Sequence, residues 1–309
     1  MAYFLYGELI KRRRIDLGIS QGDLARGICS NTTLSRLEGG ERLPRKEVFH
    51  ALMERLGLMG NSLDYYSDRD DYEIYTLKEK IRWANINGHF EQSAALLDEM
   101  QELAAAQTPL CGQFVLMYRT FVETRGKPVY SERFLNTFTE ALRLTMPGFE
   151  PKQCNVNYMA LTHDEVILLN NIANQHGLSG NHALACNMFY DLKRYFDFKN
   201  IHMEAKMVVY ALLCYNLSKW LGLSGRYDEC IRVCDDGIRT ACETGRASFL
   251  PGIYYNKAWS LIRRNEPGDK ELAIDCATNS VHLAKALKKW RNYDFYRNFA
   301  KEELDITIS

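Results

Sequence analysis

The sequence predicts an all-α fold, with a small N-terminal helical bundle followed by a longer array of helix pairs. Three observations predict it. Apolar residues recur at helical spacing almost throughout the 309 residues, and strand-like alternation bounded by turn residues is hard to find. There are only seven prolines, so few helices are interrupted. From Tyr72 onward, a glycine followed two residues later by an aromatic or a histidine recurs between amphipathic stretches, at Gly88–Phe90, Gly180–His182 and Gly225–Tyr227.

The bundle, residues 1–58, reads as four short helices. Leu5, Leu9 and Ile10 give the first an apolar stripe that Gly18 ends. Ser20 caps a second, which holds Leu24, Ala25 and Ile28. The third starts in "ICSNTTLSRLEGG", residues 28–40, where Ser30 is a good N-cap and Leu34 and Leu37 face inward. Pro44 opens the fourth, with Val48, Leu52 and Leu56 at helical spacing before Gly57. The polar, acidic residues 59–71 read as a linker suited to a mobile joint.

Residues 72–309 read as a degenerate, right-handed, TPR-like array of about five helix pairs, the last a cap. Gly180 and Gly225 lie 45 residues apart, longer than the usual period of about 34. Thr162 and Glu165 form a T-x-x-E capping box. The segment 109–145 fits less well, because Gly126 is followed by Lys127-Pro128.

Composition narrows the function classes. Formal net charge is zero, yet residues 1–58 carry ten cations and seven carboxylates, leaving a net −3 on the remainder. A small basic head on an acidic body suits DNA binding better than a polybasic coat. No apolar run approaches the roughly 18 residues of a membrane span, and no signal-peptide core opens the chain. Nine scattered cysteines in helical sequence read as small hydrophobes in a reducing compartment, pointing to the cytoplasm. Cys230 and Cys234, with Cys242 nearby, fall where a second helix packs small residues. His163, Asp164 and Glu165 belong to a helix start. No phosphate loop, nucleophile elbow or paired-carboxylate motif occurs, so no enzyme, metal or cofactor is expected.

One resemblance is specific. Gly7, Ile10, Arg14, Gly18, Ser20-Gln21, Leu24-Ala25, Leu34-Ser35-Arg36, Glu38-x-Gly40 and Pro44 together resemble the Xre/Cro-type helix-turn-helix over about 50 residues. In that motif the recognition helix enters the major groove with its N-terminal residues on base edges. The resemblance implies that Asn31, Thr32 and Thr33 read bases, with Ser35 and Arg36 next. Asn can pair with adenine, and Thr can bond bases or pack against the thymine methyl. Gln21 would position a phosphate, and Arg14 with Glu38 would form the internal ion pair. From Ile28 to Leu34 the turn is one residue shorter than in phage repressors, as in PlcR- and Rgg-type regulators.

A helix-turn-helix head followed by degenerate repeats resembles those PlcR/Rgg-type quorum-sensing regulators, which implies a short peptide ligand on the concave repeat face. Asn171, Asn216 and Asn256 stand at matching places, nine residues before successive turns. Mid-helix Asn costs stability relative to Ala, so its repetition asks for a reason. A row of amides can hydrogen-bond an extended peptide backbone. Asn170 and Asn174, Tyr215 and Lys219, and Tyr255 and Trp259 share that face. Lys78 and Arg82 are candidate partners for a carboxylate. Bonding between neighbouring helices and a partner-protein surface remain the other uses of such a row. The expectation is a homodimeric regulator that binds double-stranded DNA and a peptide. A protein-interaction scaffold and a constitutive repressor are the alternatives.

Overall fold

The computed structural model describes residues 2–58, 69–103, 106–151, 160–198 and 203–308, and every element among them is helical. The bundle contains α1 (Ala2–Asp16), α2 (Gln21–Ala25), α3 (Asn31–Glu38) and α4 (Lys46–Arg55). In chain order there follow α5 (Arg69–Ile86) with α6 (Phe90–Glu102), α7 (Pro109–Thr124) with α8 (Glu132–Arg143), then α9 (His163–Leu178) and α10 (His182–Phe198). Then come α11 (Met203–Leu223) with α12 (Tyr227–Thr244), α13 (Leu250–Arg264) with α14 (Asp269–Ala286), and a closing α15 (Trp290–Leu304). Residues 109–145 form a regular pair despite their weak signature. The expected linker lies outside the described residues except for Arg69, Asp70 and Asp71, which already open α5.

Local chemistry explains the ends. Ser20 and Ser30 accept hydrogen bonds from the Asp23 and Thr33 backbone N–H groups, and Thr108 does the same for α7. At α9 both halves of the capping box form, Glu165 N–H to Thr162 Oγ1 at 3.2 Å and Thr162 N–H to Glu165 Oε2 at 2.6 Å.

The chain forms two compact units, divided after Ser179. The first contains α1 to α9; the second contains the bulk of α10 and α11 with α12 to α15. The units do not part at residue 58. Within the first, Ile10, Leu24, Leu34, Leu37, Phe49 and Leu52 build the bundle core, and Leu110 of α7 joins that same cluster. Burial of such side chains stabilises by about 1.5–3 kcal/mol each.

Polar contacts converge on α4. Arg55 Nη2 donates to Glu165 Oε1 at 2.6 Å, with both side chains fully buried. The Arg55 guanidinium also reaches the Leu24 and Arg26 carbonyls ahead of α3. Glu47 pairs with Lys78 of α5 and accepts from Cys111 Sγ of α7 at 3.1 Å. Glu54 accepts the His163 backbone N–H at 2.9 Å. The bundle is therefore fastened to α5, α7 and α9 through one helix, not joined by a linker alone.

Glu54 makes this junction sensitive to pH. Burial and the neighbouring Asp164 push its carboxyl up to about 7, against the relief given by the His163 N–H and Arg82. A raised folded-state pKa contributes stability below the ordinary value of 4.5, and that stability is lost as pH rises through about 7. Half-buried His163, whose pKa is lowered by desolvation, acts with the opposite sign on acidification. Glu54→Gln keeps an acceptor for the His163 N–H and removes only the Glu54 contribution. Denaturant unfolding should therefore find the variant more stable than wild type by about 1–3 kcal/mol at pH 8, with the difference closing towards pH 5.

Candidate DNA-reading edge and ligand cavity

The reading edge is built from the α3 cap outward. Ser30 Oγ accepts the Thr33 N–H at 3.1 Å and meets the Thr33 hydroxyl at 2.9 Å, fixing the first turn. That leaves Asn31, Thr32, Ser35 and Arg36 exposed on one edge, with Thr33 half-buried. Arg36 lies 3.9 Å from Glu41, and both side chains are two-thirds exposed, so this pair adds little order. Behind the edge, Arg14 forks onto Glu38 at 2.6 and 2.9 Å. Burial pushes the Glu38 carboxyl up, but bonds from Arg14 and Gln21 outweigh it and leave its pKa lowered.

Gln21, expected to position a phosphate, bonds within the bundle in this structure. Its Nε2 donates to Glu38 Oε2 at 2.7 Å, so the amide closes the internal ion pair instead of reaching outward to a phosphate. Sequence reasoning missed this because the family place and the internal role occupy the same helix start.

The residues expected to hold a peptide fall in different surroundings. Lys78 and Arg82 face α4 and α9: Lys78 is committed to Glu47, and Arg82 to Glu79 and to Asp164 at 3.8 Å. They line a small cavity of about 80 Å³ with His50 and Glu54, apart from the aromatic residues of the row. In this structure both charges are answered within the protein. On α9, Asn170 is buried, Asn174 is half-buried, and Asn171 Nδ2 bonds the Ile167 carbonyl of its own helix.

In the second unit five of the expected residues come together around a cavity of about 320 Å³. Tyr215, Ser218, Lys219, Gly222 and Leu223 line it from α11, and Tyr255, Asn256, Trp259 and Ser260 from α13. Asn292, Phe295 and Tyr296 close it from α15. Asn216 is buried, but is not part of this wall. Asn256 ties two helices, its Nδ2 donating to the Tyr215 carbonyl at 3.0 Å and Ser218 Oγ at 2.9 Å. The inter-helix reading of the Asn row thus applies here.

Two glycines near helix ends, Gly222 in the last turn of α11 and Gly252 in the first turn of α13, leave room for the aromatic wall. A Cβ on Gly252 would lie 2.3 Å from the Tyr215 ring, and one on Gly222 would lie 3.3 Å from the Trp259 ring. Each lets a ring approach a neighbouring backbone more closely than a side chain there would allow. Tyr255 packs against Phe295, Tyr296 and Phe299 with centroids 4.9–5.2 Å apart. Sequence reasoning missed the α15 contribution because "WRNYDFYRNF" carries no turn glycine and reads as a terminal cap. Its aromatic density was the available signal.

Residues 5–65 match the family described as helix-turn-helix domain. The N-terminal bundle is a helix-turn-helix domain. Along nearly its whole length the chain also shares a fold with PlcR of Bacillus thuringiensis. The structure in complex with the peptide PapR7 and DNA superposes with a TM-score of 0.59 at 18% identity, covering 95% of this chain and 99% of that one. The apo form of PlcR gives 0.58 at 16% identity, with coverages of 96% and 98%. The competence regulator ComR from Streptococcus vestibularis, in complex with its cognate signaling peptide XIP, gives 0.52 at 16% identity, with coverages of 97% and 99%. The likeness is one of fold. Curated protein sequences give no match.

The all-α expectation therefore holds, and the resemblance to PlcR holds as a likeness of fold. Among the described residues of the helix-turn-helix domain and the repeats, no helix is long and apolar enough to cross a membrane. No group of three or more His, Cys, Asp or Glu among them could hold a metal ion.

Proposed function

We propose that this chain is a DNA-binding transcriptional regulator, with residues 1–58 contacting the operator and residues 72–309 sensing a short peptide. The observation that carries the reading is the pairing, in one chain, of an open reading edge on a helix-turn-helix domain with an aromatic cavity in the second unit. The PlcR fold, seen in complex with peptide and DNA, supports it. Asn31 and Thr32 would read bases, Ser35 and Arg36 would meet bases or phosphates, and two heads in a cytoplasmic homodimer would occupy adjacent half-sites. Peptide in the cavity would shift the population of head arrangements and so the operator affinity.

The base-reading role predicts a defined outcome. In selection from random duplexes, Asn31→Ala and Thr32→Ala should each relax preference at one or two positions, a change of about 1–3 kcal/mol per base pair, while the circular dichroism melt is unchanged. Unaltered preference in both variants would move base reading elsewhere on α3.

The ligand role is tested by thermal unfolding against fractions of culture medium from the native host, with and without protease treatment of the medium. A ligand at 100 times its Kd stabilises the native state by about 2.7 kcal/mol. A protease-sensitive shift is expected. No shift in any fraction, with operator binding intact, would leave a constitutive regulator whose repeats serve only assembly.

A further inference from the structure

We propose that the second-unit cavity takes a carboxylate together with the aromatic or aliphatic side chain beside it, and that Lys219 is the group that binds the carboxylate. This rests on the peptide reading above and specifies which part of a peptide the cavity selects.

Charge accounting points to Lys219. It is half-buried among the rings of the cavity, with its Nζ 4.3 Å from the Trp220 ring centroid. Among the described residues no carboxylate pairs with it, and no Asp or Glu lines the cavity. The three cations of α13 are all committed elsewhere. Lys257 bonds Asp235 at 2.5 Å, Arg263 bonds Glu303 at 3.0 Å while lying over Trp259, and Arg264 bonds Asp269 at 2.6 Å. Lys78 and Arg82, the cations that sequence reasoning assigned to a carboxylate, are answered by Glu47 and Asp164.

A partly desolvated ammonium in an aromatic enclosure has lost hydration that aromatic faces only partly replace. Burial lowers its pKa accordingly. An incoming carboxylate would restore a charge-assisted hydrogen bond in surroundings where that bond is stronger than in water. Aromatic rings make up much of the wall: Tyr215 close against Gly252, Trp259 close against Gly222, and Tyr255 with Phe295. At about 320 Å³ the space fits one large side chain with its backbone, not a whole peptide. The last residue of a peptide places a carboxylate on the same Cα as its side chain and meets this demand most compactly. An Asp or Glu side chain next to an aromatic residue supplies the same chemistry.

The test is affinity selection on the full chain from a soluble mixture of random heptapeptides, prepared once as C-terminal free acids and once as amides, with retained peptides read by mass spectrometry. Wild type should enrich free acids ending in Phe, Trp, Tyr, Leu or Ile. Lys219→Met, of similar length and uncharged, should lose that enrichment by about tenfold to a hundredfold while still binding selected operator DNA. Lys219→Arg should keep most of it. Equal retention of acids and amides, with an internal Asp or Glu beside an aromatic and the same dependence on Lys219, would place the carboxylate on a side chain and still support the pair. Retention by Lys219→Met equal to wild type would overturn the role of Lys219 while leaving peptide binding in place. Retention of no peptide by wild type that binds operator would overturn the peptide reading itself.

Discussion

Arg55→Met is expected to destabilise the protein by about 3–5 kcal/mol, measured by urea unfolding. The guanidinium is fully buried and serves three acceptors on two sides: the Leu24 and Arg26 carbonyls within the helix-turn-helix domain, and Glu165 at the start of α9. Removing it strands a buried carboxylate and two carbonyls. The double variant Arg55→Met, Glu165→Gln should recover part of the loss, because no buried charge then remains and Gln still completes a capping box. Arg55→Lys should recover little, since a point ammonium cannot span the three acceptors that the planar fork reaches.

Gly27→Ala is expected to cost about 2–5 kcal/mol and to weaken operator binding with it. Gly27 sits in the turn between α2 and the recognition helix at φ +67°, where an L side chain is strained. A Cβ there would also lie 2.4 Å from the Thr145 Cα, so either the turn or the end of the second repeat pair must move. Gly18→Ala is the control. It has nearly the same φ, +65°, but nothing within 4 Å of its added Cβ, so only the backbone strain of about 1 kcal/mol applies. The difference between the two melts measures the close approach of the α2–α3 turn to the repeats.

These two sites show where sequence reasoning stops. Helix starts and stops were legible because their chemistry is local: Ser20, Ser30 and the Thr162–Glu165 box act within three residues of themselves. The Arg14–Glu38 pair was legible through a family pattern that spans one small domain. Arg55 and Glu165 are 110 residues apart, and nothing local marks either as the other's partner. Glu165 was read correctly as half of a capping box, yet its second oxygen fastens the head, a role that periodicity cannot show.

The candidate ligand cavity was legible to the same degree. Tyr215, Lys219, Tyr255, Asn256 and Trp259 were found from their register on repeated helices, and they do share one cavity. The expected uses of individual residues changed on folding. Asn256 bonds across to α11, Lys78 and Arg82 face α4 and α9, and α15 supplies rings that no repeat signature announced. Register places a residue on a face; the neighbours that take up its hydrogen bonds come from distant sequence.

The most direct test of the account is operator affinity with and without ligand. Duplexes selected by the full chain would be titrated with protein in the presence of the protease-sensitive fraction of host culture medium, in wild type and in Trp259→Ala. The fraction is expected to change the operator Kd of wild type by tenfold or more, and to leave that of Trp259→Ala, which has lost a cavity wall, unmoved. An operator Kd equal with and without the fraction in wild type, while the same fraction raises its melting temperature, would contradict it: the cavity would bind peptide without governing DNA.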